Sequence, residues 1–186
     1  HTAGRFGTTR HRCPIQDVRT GALVYCTPLR AHMLTVGDTA PSFTLTAQDK
    51  SIFSSDEHSG KRMVVVFYPA AFTGVCTEEM CTFNDLMADL ENAGCTVVGI
   101  SVDSPFSNAA FAESNGIGFP LLSDVHRSVI NDFGVAYHDF SIKGYTVATR
   151  SVFVIEPDGT VGFVWAAENP GIQPDYAEVI SYCLKN

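Results

Sequence analysis

One cysteine stands where this chain changes from a strand pattern to a helix pattern, and its position favours reactivity. Cys76 follows an apolar run, Met63 to Tyr68, that ends at Pro69, and a helical pattern begins near Cys76 itself. The first amides of a helix have no partner within the helix, and together with the helix dipole they favour an anion. A thiol in this position is biased toward the thiolate, which is the nucleophilic form of cysteine. The pattern therefore predicts a reactive thiol rather than a small buried hydrophobe.

The elements that must position Cys76 alternate between strands and helices. The run Met63 to Tyr68 is continuously apolar, which is typical of a parallel strand buried on both faces. Further strands are predicted at Phe43–Leu45, Cys95–Val102, Phe119–Leu122, Ser151–Ile155 and Thr160–Trp165, and helices at Cys76–Asn92, Ser104–Asn115, Asp124–Phe133 and Pro174–Leu184. This order predicts an α/β protein with a thioredoxin-like fold, in which helices flank a central mixed β-sheet.

A permanent cation must accompany the thiolate, because Glu78 and Glu79 follow Cys76 closely and disfavour a second anion. Arginine keeps its charge in proteins. Residues 33–186 contain three arginines, which are Arg62, Arg127 and Arg150.

The predicted sheet distinguishes among these three arginines. Arg62 lies at the wrong end of its strand, and Arg127 falls on an amphipathic helix, where a solvated surface position is favoured. Arg150 begins the strand Ser151–Ile155, which in a thioredoxin-like sheet neighbours Met63–Tyr68 and runs antiparallel to it. The sequence therefore places Arg150 beside Cys76.

The segment from Pro69 to Cys76 resembles the active-site signature of the peroxiredoxin family, Pro-x-x-x-Thr-x-x-Cys. Pro69, Thr73 and Cys76 occupy its three fixed positions, and Arg150 looks like the arginine that this family places at a strand start. Further similarity covers nearly all of residues 33–186. The chain looks intermediate between the one-cysteine alkyl hydroperoxide reductase E group and the peroxiredoxin Q group, also called bacterioferritin comigratory proteins. The resemblance implies a thiol-dependent peroxidase for hydrogen peroxide and alkyl hydroperoxides, with no cofactor.

The same resemblance implies roles for the residues around the thiol. Thr73 would hold the peroxide through its hydroxyl, which both donates and accepts hydrogen bonds. Pro69 would shield the sulfur from water, and the amides of Val75 and Cys76 would bind the peroxide oxygens. Each catalytic role has a structural alternative. Thr73 could be a helix N-cap, and Arg150 could form a surface salt bridge.

Cys81 lies five residues after Cys76, the spacing at which peroxiredoxin Q proteins commonly carry a resolving cysteine. In an intact helix, five residues correspond to about 7.5 Å of rise and about 140° of rotation. A disulfide needs Cα atoms within about 7 Å and converging Cβ atoms, so the helix start would have to unwind. The alternatives are that Cys81 is a core residue and an external thiol resolves Cys76, or that Cys183 is the resolver. Cys95 is predicted to be structural.

The resemblance also implies partners. A thioredoxin-like protein or a low-molecular-weight thiol would regenerate the enzyme, and a homodimer would form partly through loops around Phe72 and after Ser104. A peroxide sensor or holdase without significant turnover is the competing hypothesis, and a structural domain with a vestigial site is a third. Cys76 and Cys81 with His126 or His138 fit no zinc spacing, so no metal is predicted.

Composition divides the chain into two parts. Residues 1–32 carry five arginines and one acid without a clear period, and Met33 looks like a natural start. We therefore predict an N-terminal extension over 1–32, non-native or poorly structured, and a peroxiredoxin-like domain over 33–186.

The charge and the cysteine content of the predicted domain indicate which partners and which location to expect. Residues 33–186 carry 7 Lys and Arg against 19 Asp and Glu, a formal charge of −12, which argues against nucleic acid and anionic membranes. No apolar run approaches the roughly 20 residues of a membrane span. The six cysteines form no regular spacing, which favours a reducing cytoplasm over a secreted disulfide framework.

Overall fold

The computed structural model describes residues 32–185, together with the backbone of residues 14–16 and 23–25. Those two short segments pair as antiparallel strands, β1 (Pro14–Gln16) and β2 (Leu23–Tyr25). The rest of 1–31 lies outside the described residues, so the predicted extension over 1–32 stays a prediction.

Strands and helices alternate through the rest of the chain. The strands are β3 (Thr44–Ala47), β4 (Ile52–Ser54), β5 (Arg62–Phe67), β6 (Cys95–Ser101), β7 (Leu121–Ser123), β8 (Ala136–Tyr137), β9 (Val147–Ala148), β10 (Ser151–Ile155) and β11 (Val161–Ala166). The helices are α1 (Gly74–Asp85), α2 (Met87–Asn92), α3 (Pro105–Asn115), α4 (Ser128–Asp132) and α5 (Tyr176–Lys185), and a 3-10 turn spans Ser55–His58.

Seven strands form one mixed sheet in the order β11-β10-β5-β6-β7-β3-β4. The central strand β5 runs parallel to β6 and antiparallel to β10, with Ser151 opposite Phe67. This is the predicted α/β architecture, and the placement of β10 beside β5 follows the predicted order. The last residue of β5 and the first residue of β10 therefore lie side by side at the same end of the sheet.

The sheet has an apolar core on each face. Alternate side chains of β5 point to opposite sides, so Val64 and Val66 join one core while Val65 and Phe67 join the other. The first core packs against α1, α2, α3 and α5, and the second packs against α4. Because every residue of β5 is buried, this strand is a rigid support for the segments at its two ends.

Helix α3 forms where the sequence predicts it. Ser104 accepts a hydrogen bond from the Ser107 amide (3.2 Å), and Pro105 occupies the first helical position. Gly116 ends the helix in the left-handed region at φ 65°, which glycine adopts without a steric cost.

Two helix predictions differ from the structure. The helix predicted from Cys76 to Asn92 is two helices that break at Leu86 (φ −89°, ψ −1°). The helix predicted from Asp124 begins only at Ser128. The buried Asp124 carboxylate accepts the Ile130 amide (2.9 Å), which caps α4 from a distance.

The prediction that Arg127 lies on an amphipathic helix is wrong. Arg127 precedes α4 in the left-handed region (φ 60°), where its backbone cannot continue a helix. Its Nε donates to the Thr146 carbonyl (2.9 Å) and its Nη1 to the Val125 carbonyl (3.0 Å). Arg127 thus ties two loops together, which is a structural position.

Candidate active site

Cys76 lies in the first turn of α1, just beyond the end of β5. Its side chain is only 1% exposed. Because α1 begins at Gly74, the amides of Val75 and Cys76 belong to the first turn, where a helix offers no internal partner. The sulfur therefore lies at the start of a helix, at the position that the sequence predicts.

The loop between β5 and α1 is held in a tight conformation. The Ala71 amide donates to Asp103 Oδ2 (2.8 Å), and the same oxygen accepts the Ser101 hydroxyl (3.0 Å). Phe72 follows in the left-handed region (φ 62°), which bulky residues seldom adopt, and its ring meets Phe111 edge-on at 5.3 Å. These contacts fix the approach of the chain to α1.

Arg150 provides a cation in direct contact with the sulfur. Its Nη2 donates to Cys76 Sγ at 3.2 Å, and the guanidinium is 1% exposed. The contact follows from the sheet, because Ser151 pairs with Phe67 and Arg150 is the residue just before β10. Removed from solvent, such a charge-assisted bond is stronger than it would be in water.

Two acceptors hold the Arg150 guanidinium in place. Its Nη1 forms an ion pair with Glu79 Oε2, and its Nε and Nη2 donate to the Pro170 carbonyl at 3.1 and 2.9 Å. The guanidinium fork is thus shared among a carboxylate, a carbonyl and the sulfur. Arginine suits this arrangement because its donors have fixed directions.

Glu79 is a buried counter-ion rather than a residue that only opposes the thiolate. Burial raises the pKa of Glu79 to about 7, although Arg150 acts in the opposite direction. Its second oxygen, Oε1, is buried without a hydrogen-bond partner among the described residues. Glu78, in contrast, is exposed and accepts a hydrogen bond from Gln173 (2.8 Å). The two neighbouring acids therefore have different environments.

Thr73 and Pro69 lie in the loop that joins β5 to α1. Thr73 stands at the N-cap position of α1, but its hydroxyl caps no amide of the helix and donates to the Ala70 carbonyl instead (3.1 Å). With its proton used in this bond, the hydroxyl keeps lone pairs that can accept from a ligand. Pro69 is buried directly after β5.

Cys81 lies on the same continuous helix as Cys76, half-buried and free. The helix geometry separates the two sulfurs in the described state. Cys183 is no nearer to a resolving position, since it contacts Cys95 at the opposite end of the sheet. Residues 32–185 include Cys76, Cys81, Cys95 and Cys183, all free thiols.

Sequence reasoning missed two members of the site. Glu79 follows Cys76 by three residues, so both lie on one face of α1, and this spacing could have identified it. The Pro170 carbonyl is a backbone group, and no side-chain type signals its role. Arg62 and Arg127, in contrast, lie outside this cluster, as the sequence predicts.

Comparison with known proteins agrees with this geometry. A model of the AhpC/TSA family matches residues 36–164. A putative peroxiredoxin of Mycobacterium tuberculosis is 45% identical over 130 residues, covering 69% of this chain and 82% of the relative. Peroxiredoxin Bcp of Escherichia coli is 39% identical over 133 residues, covering 71% and 85%.

The chain belongs to the AhpC/TSA family. It is a peroxiredoxin, a thiol-dependent peroxidase, as the signature around Cys76 predicts. The crystal structure of peroxidoxin BcpB from Mycobacterium tuberculosis superposes with a TM-score of 0.72 at 33% identity, covering 83% of this chain and 97% of that one. A peroxiredoxin-like protein from Aquifex aeolicus gives 0.74 at 29% identity, covering 88% and 92%. The thioredoxin-like fold is thereby confirmed.

Two further properties of this peroxiredoxin concern metal-binding groups and membrane-spanning helices. Within residues 32–185, no three His, Cys, Asp or Glu side chains are grouped as metal ligands. The helices in the described part of the chain are too short or too polar to cross a bilayer.

Proposed function

We propose that Cys76 is the peroxidatic nucleophile and that Arg150, Thr73 and Pro69 complete its catalytic site. The contact of 3.2 Å between Arg150 Nη2 and Cys76 Sγ, made at a helix start, carries this proposal. A cation in direct contact favours the thiolate and remains available for the charge that develops during attack.

The reaction proceeds by attack of Cys76 Sγ on one oxygen of the hydroperoxide. An S–O bond forms as the O–O bond breaks, and the departing oxygen takes a proton and leaves as water or an alcohol. Cys76 is left as a sulfenic acid. Arg150 and the Val75 and Cys76 amides stabilise the oxygen charge, and Thr73 orients the peroxide through its free lone pairs. Pro69 keeps water away from the sulfur.

Cys81 resolves the sulfenic acid in this proposal. Its sulfur attacks Cys76 Sγ, an S–S bond forms, and the hydroxyl of the sulfenic acid leaves as water. Because both residues lie within α1, the start of that helix must unwind in each cycle. A thioredoxin-like protein or a low-molecular-weight thiol then reduces the disulfide.

Mass spectrometry after one equivalent of hydrogen peroxide tests this sequence. The wild type should lose two hydrogens and give a Cys76–Cys81 peptide. Cys81→Ser should stop at the sulfenic acid and overoxidise readily. Hydrogen exchange of residues 74–84 should rise on oxidation while β5 and β6 stay protected. A wild type that accumulates sulfenic acid and forms no such bond would establish resolution by an external thiol instead.

We further propose a homodimer that uses the loop at Phe72 and the start of α3. Phe72 and Phe106 are 58% and 69% exposed; Phe72 lies in the loop that leads to α1, and Phe106 lies in the first turn of α3. Exposed aromatic side chains of this kind are typical of interface anchors.

Sedimentation at micromolar concentration tests the dimer in low and in high salt. Phe106→Glu should shift the protein toward monomer. Ile142→Glu is the matched control, since Ile142 is 67% exposed but lies in the turn between β8 and β9. A wild-type monomer in both salts would contradict the proposal.

We also propose a cytoplasmic location. The six cysteines support it, because their irregular spacing is unlike that of a secreted disulfide framework. Thiol reductants of the proposed kind act in the same compartment.

A further inference from the structure

Two cysteines from distant parts of the chain meet at the end of β5 opposite to Cys76. Cys95 begins β6 and Cys183 lies in α5, and both side chains pack in the same apolar core, where the two thiols interact. Both are free and almost fully buried, with 6% of Cys95 exposed. Since β5 has six residues, about 20 Å of strand separate this pair from the Cys76 end.

A buried arginine stands beside this pair as well. Arg62 is the register partner of Cys95, and its Nη1 donates to the Cys183 carbonyl at 2.9 Å. Its Nη2 forms an ion pair with Glu156 at 2.9 Å, and the Tyr182 hydroxyl donates to the same carboxylate. The charged and titratable groups facing the two thiols are thus Arg62, Glu156 and Tyr182.

The interaction between the two thiols shifts their pKa values in opposite directions. The interaction with Cys183 lowers the pKa of Cys95 to about 7, with burial opposing and Arg62 assisting. The same interaction, together with burial, raises the pKa of Cys183. Because the Arg62 cation lies beside Cys95 as its register partner, Cys95 is taken as the nucleophile of the pair.

We propose that Cys95 and Cys183 form a second redox-active dithiol site, which closes to a disulfide under hydroperoxide and ties α5 to the start of β6. The site lies outside the Cys76 cluster and uses none of its residues. It differs from the expectation that Cys95 is only structural.

The oxidation balances with hydroperoxide as the oxidant. Cys95 Sγ attacks one peroxide oxygen, so an S–O bond forms and the O–O bond breaks, and the other oxygen leaves as water or an alcohol. Cys183 Sγ then attacks Cys95 Sγ, so an S–S bond forms and the S–O bond breaks. The hydroxide leaves as water with the proton of Cys183. Two thiols are oxidised and one hydroperoxide is reduced.

The position of the pair predicts what closure does. The bond joins residues far apart in sequence, and such a cross-link restricts the unfolded chain more than a short one does. It also fixes α5, whose Tyr176 ring meets Phe83 of α1 edge-on at 5.4 Å. The disulfide would thus anchor α5 to the start of β6, and α5 in turn packs against α1, which carries Cys76.

A variant with only these two cysteines tests the proposal independently of Cys76. In Cys13→Ser/Cys26→Ser/Cys76→Ser/Cys81→Ser, titratable thiols should fall from two to none after hydrogen peroxide. The mass should drop by about 2 Da, a peptide linking Cys95 and Cys183 should appear, and dithiothreitol should reverse both changes. The thermal midpoint of the oxidised form should exceed that of the reduced form. The wild type should show the same peptide, at more peroxide than Cys76 needs.

Other products would overturn the proposal. Two persistent thiols, sulfinic acid at Cys95 in place of the disulfide, or a disulfide between chains would each do so. Far-ultraviolet circular dichroism confirms that the quadruple variant is folded before oxidation. Should it not be folded, the peptide map of the oxidised wild type decides alone.

Substitutions of Arg62 separate its charge from its packing. In the same background, Arg62→Gln should slow alkylation of Cys95 several-fold at neutral pH, because the thiolate loses its cation. Arg62→Lys should largely retain the rate. Equal rates in both variants and their parent would show that Cys95 reacts without help from Arg62.

Discussion

The two ends of β5 carry the same three residue types in different arrangements. At one end Cys76, Arg150 and Glu79 are sealed from solvent, and the guanidinium donates directly to the sulfur. At the other end Arg62 pairs with Glu156, which keeps 21% of its side chain exposed, and donates to the carbonyl of Cys183.

The helix makes the second difference between the two ends. Cys76 stands among the first amides of α1 with Thr73 beside it, whereas Cys95 begins a strand and has neither. Cys95, with only a nearby arginine and glutamate, should therefore react with hydroperoxide more slowly than Cys76 does. Cys76 differs in two respects: its sulfur contacts a buried cation directly, and the first amides of α1 are free to donate hydrogen bonds to a substrate oxygen.

The largest expected effect comes from exchanging each cysteine for serine. Cys76→Ser should reduce peroxide consumption to the uncatalysed background, because the nucleophile is gone. Cys95→Ser should leave the initial rate within about twofold, since Cys95 lies outside the catalytic cluster. Coupled reductant oxidation measures both, and comparable turnover by the two variants would remove the distinction between the ends.

Substituting lysine for each arginine gives the next largest effect. Arg150→Lys keeps the charge but cannot contact Glu79, Cys76 and the Pro170 carbonyl at once, so attack should slow by roughly 10- to 100-fold. Stopped-flow kinetics under single-turnover conditions measure this step. Arg62→Lys is the matched control and should change the rate by less than about twofold. Equal slowing in both variants would mean that stability, not contact with the sulfur, governs the rate.

The last comparison concerns how the stability of the protein depends on pH. The pKa of Glu79 is raised by burial from 4.5 to about 7, so the folded chain binds this proton more tightly than the unfolded chain. The free energy of unfolding should therefore fall by roughly 3 kcal/mol as pH rises from about 4.5 to 7, and it should then level off. Denaturant unfolding across this range measures the slope. Glu79→Gln should remove most of it, whereas the matched Glu156→Gln should retain it.

The sequence predicts the relative positions of Cys76 and Arg150 well, because these positions follow from the order of the strands. Met63 to Tyr68 is apolar without interruption, so it can only be a central strand, and Arg150 then follows from the antiparallel neighbour. The signature around Cys76 marks the loop. Strand order and a local motif are therefore enough to place these residues near one another.

The parts that sequence reasoning missed depend on contacts between distant residues. Glu79 reads as a solvated helix acid, and only the packing of α1 against Arg150 makes it a buried counter-ion. Asp124 caps α4 through a carboxylate six residues before Ile130, so the helix starts later than its pattern indicates. The strands β4, β8 and β9 have two or three residues each, too few for a periodic signal.

Phe72 has a consequence for how readily the start of α1 opens. Its left-handed backbone costs on the order of 1 kcal/mol or more, and that cost is sustained only by its ring contact with Phe111 and by the neighbouring bond from Ala71 to Asp103. When the first turn of α1 unwinds, Phe72 is released to an ordinary conformation and this free energy is recovered. If the start of α1 unwinds as proposed, the loop lowers the net cost of this step, so the folded and unwound forms of the helix start lie closer in free energy than an unstrained loop would allow.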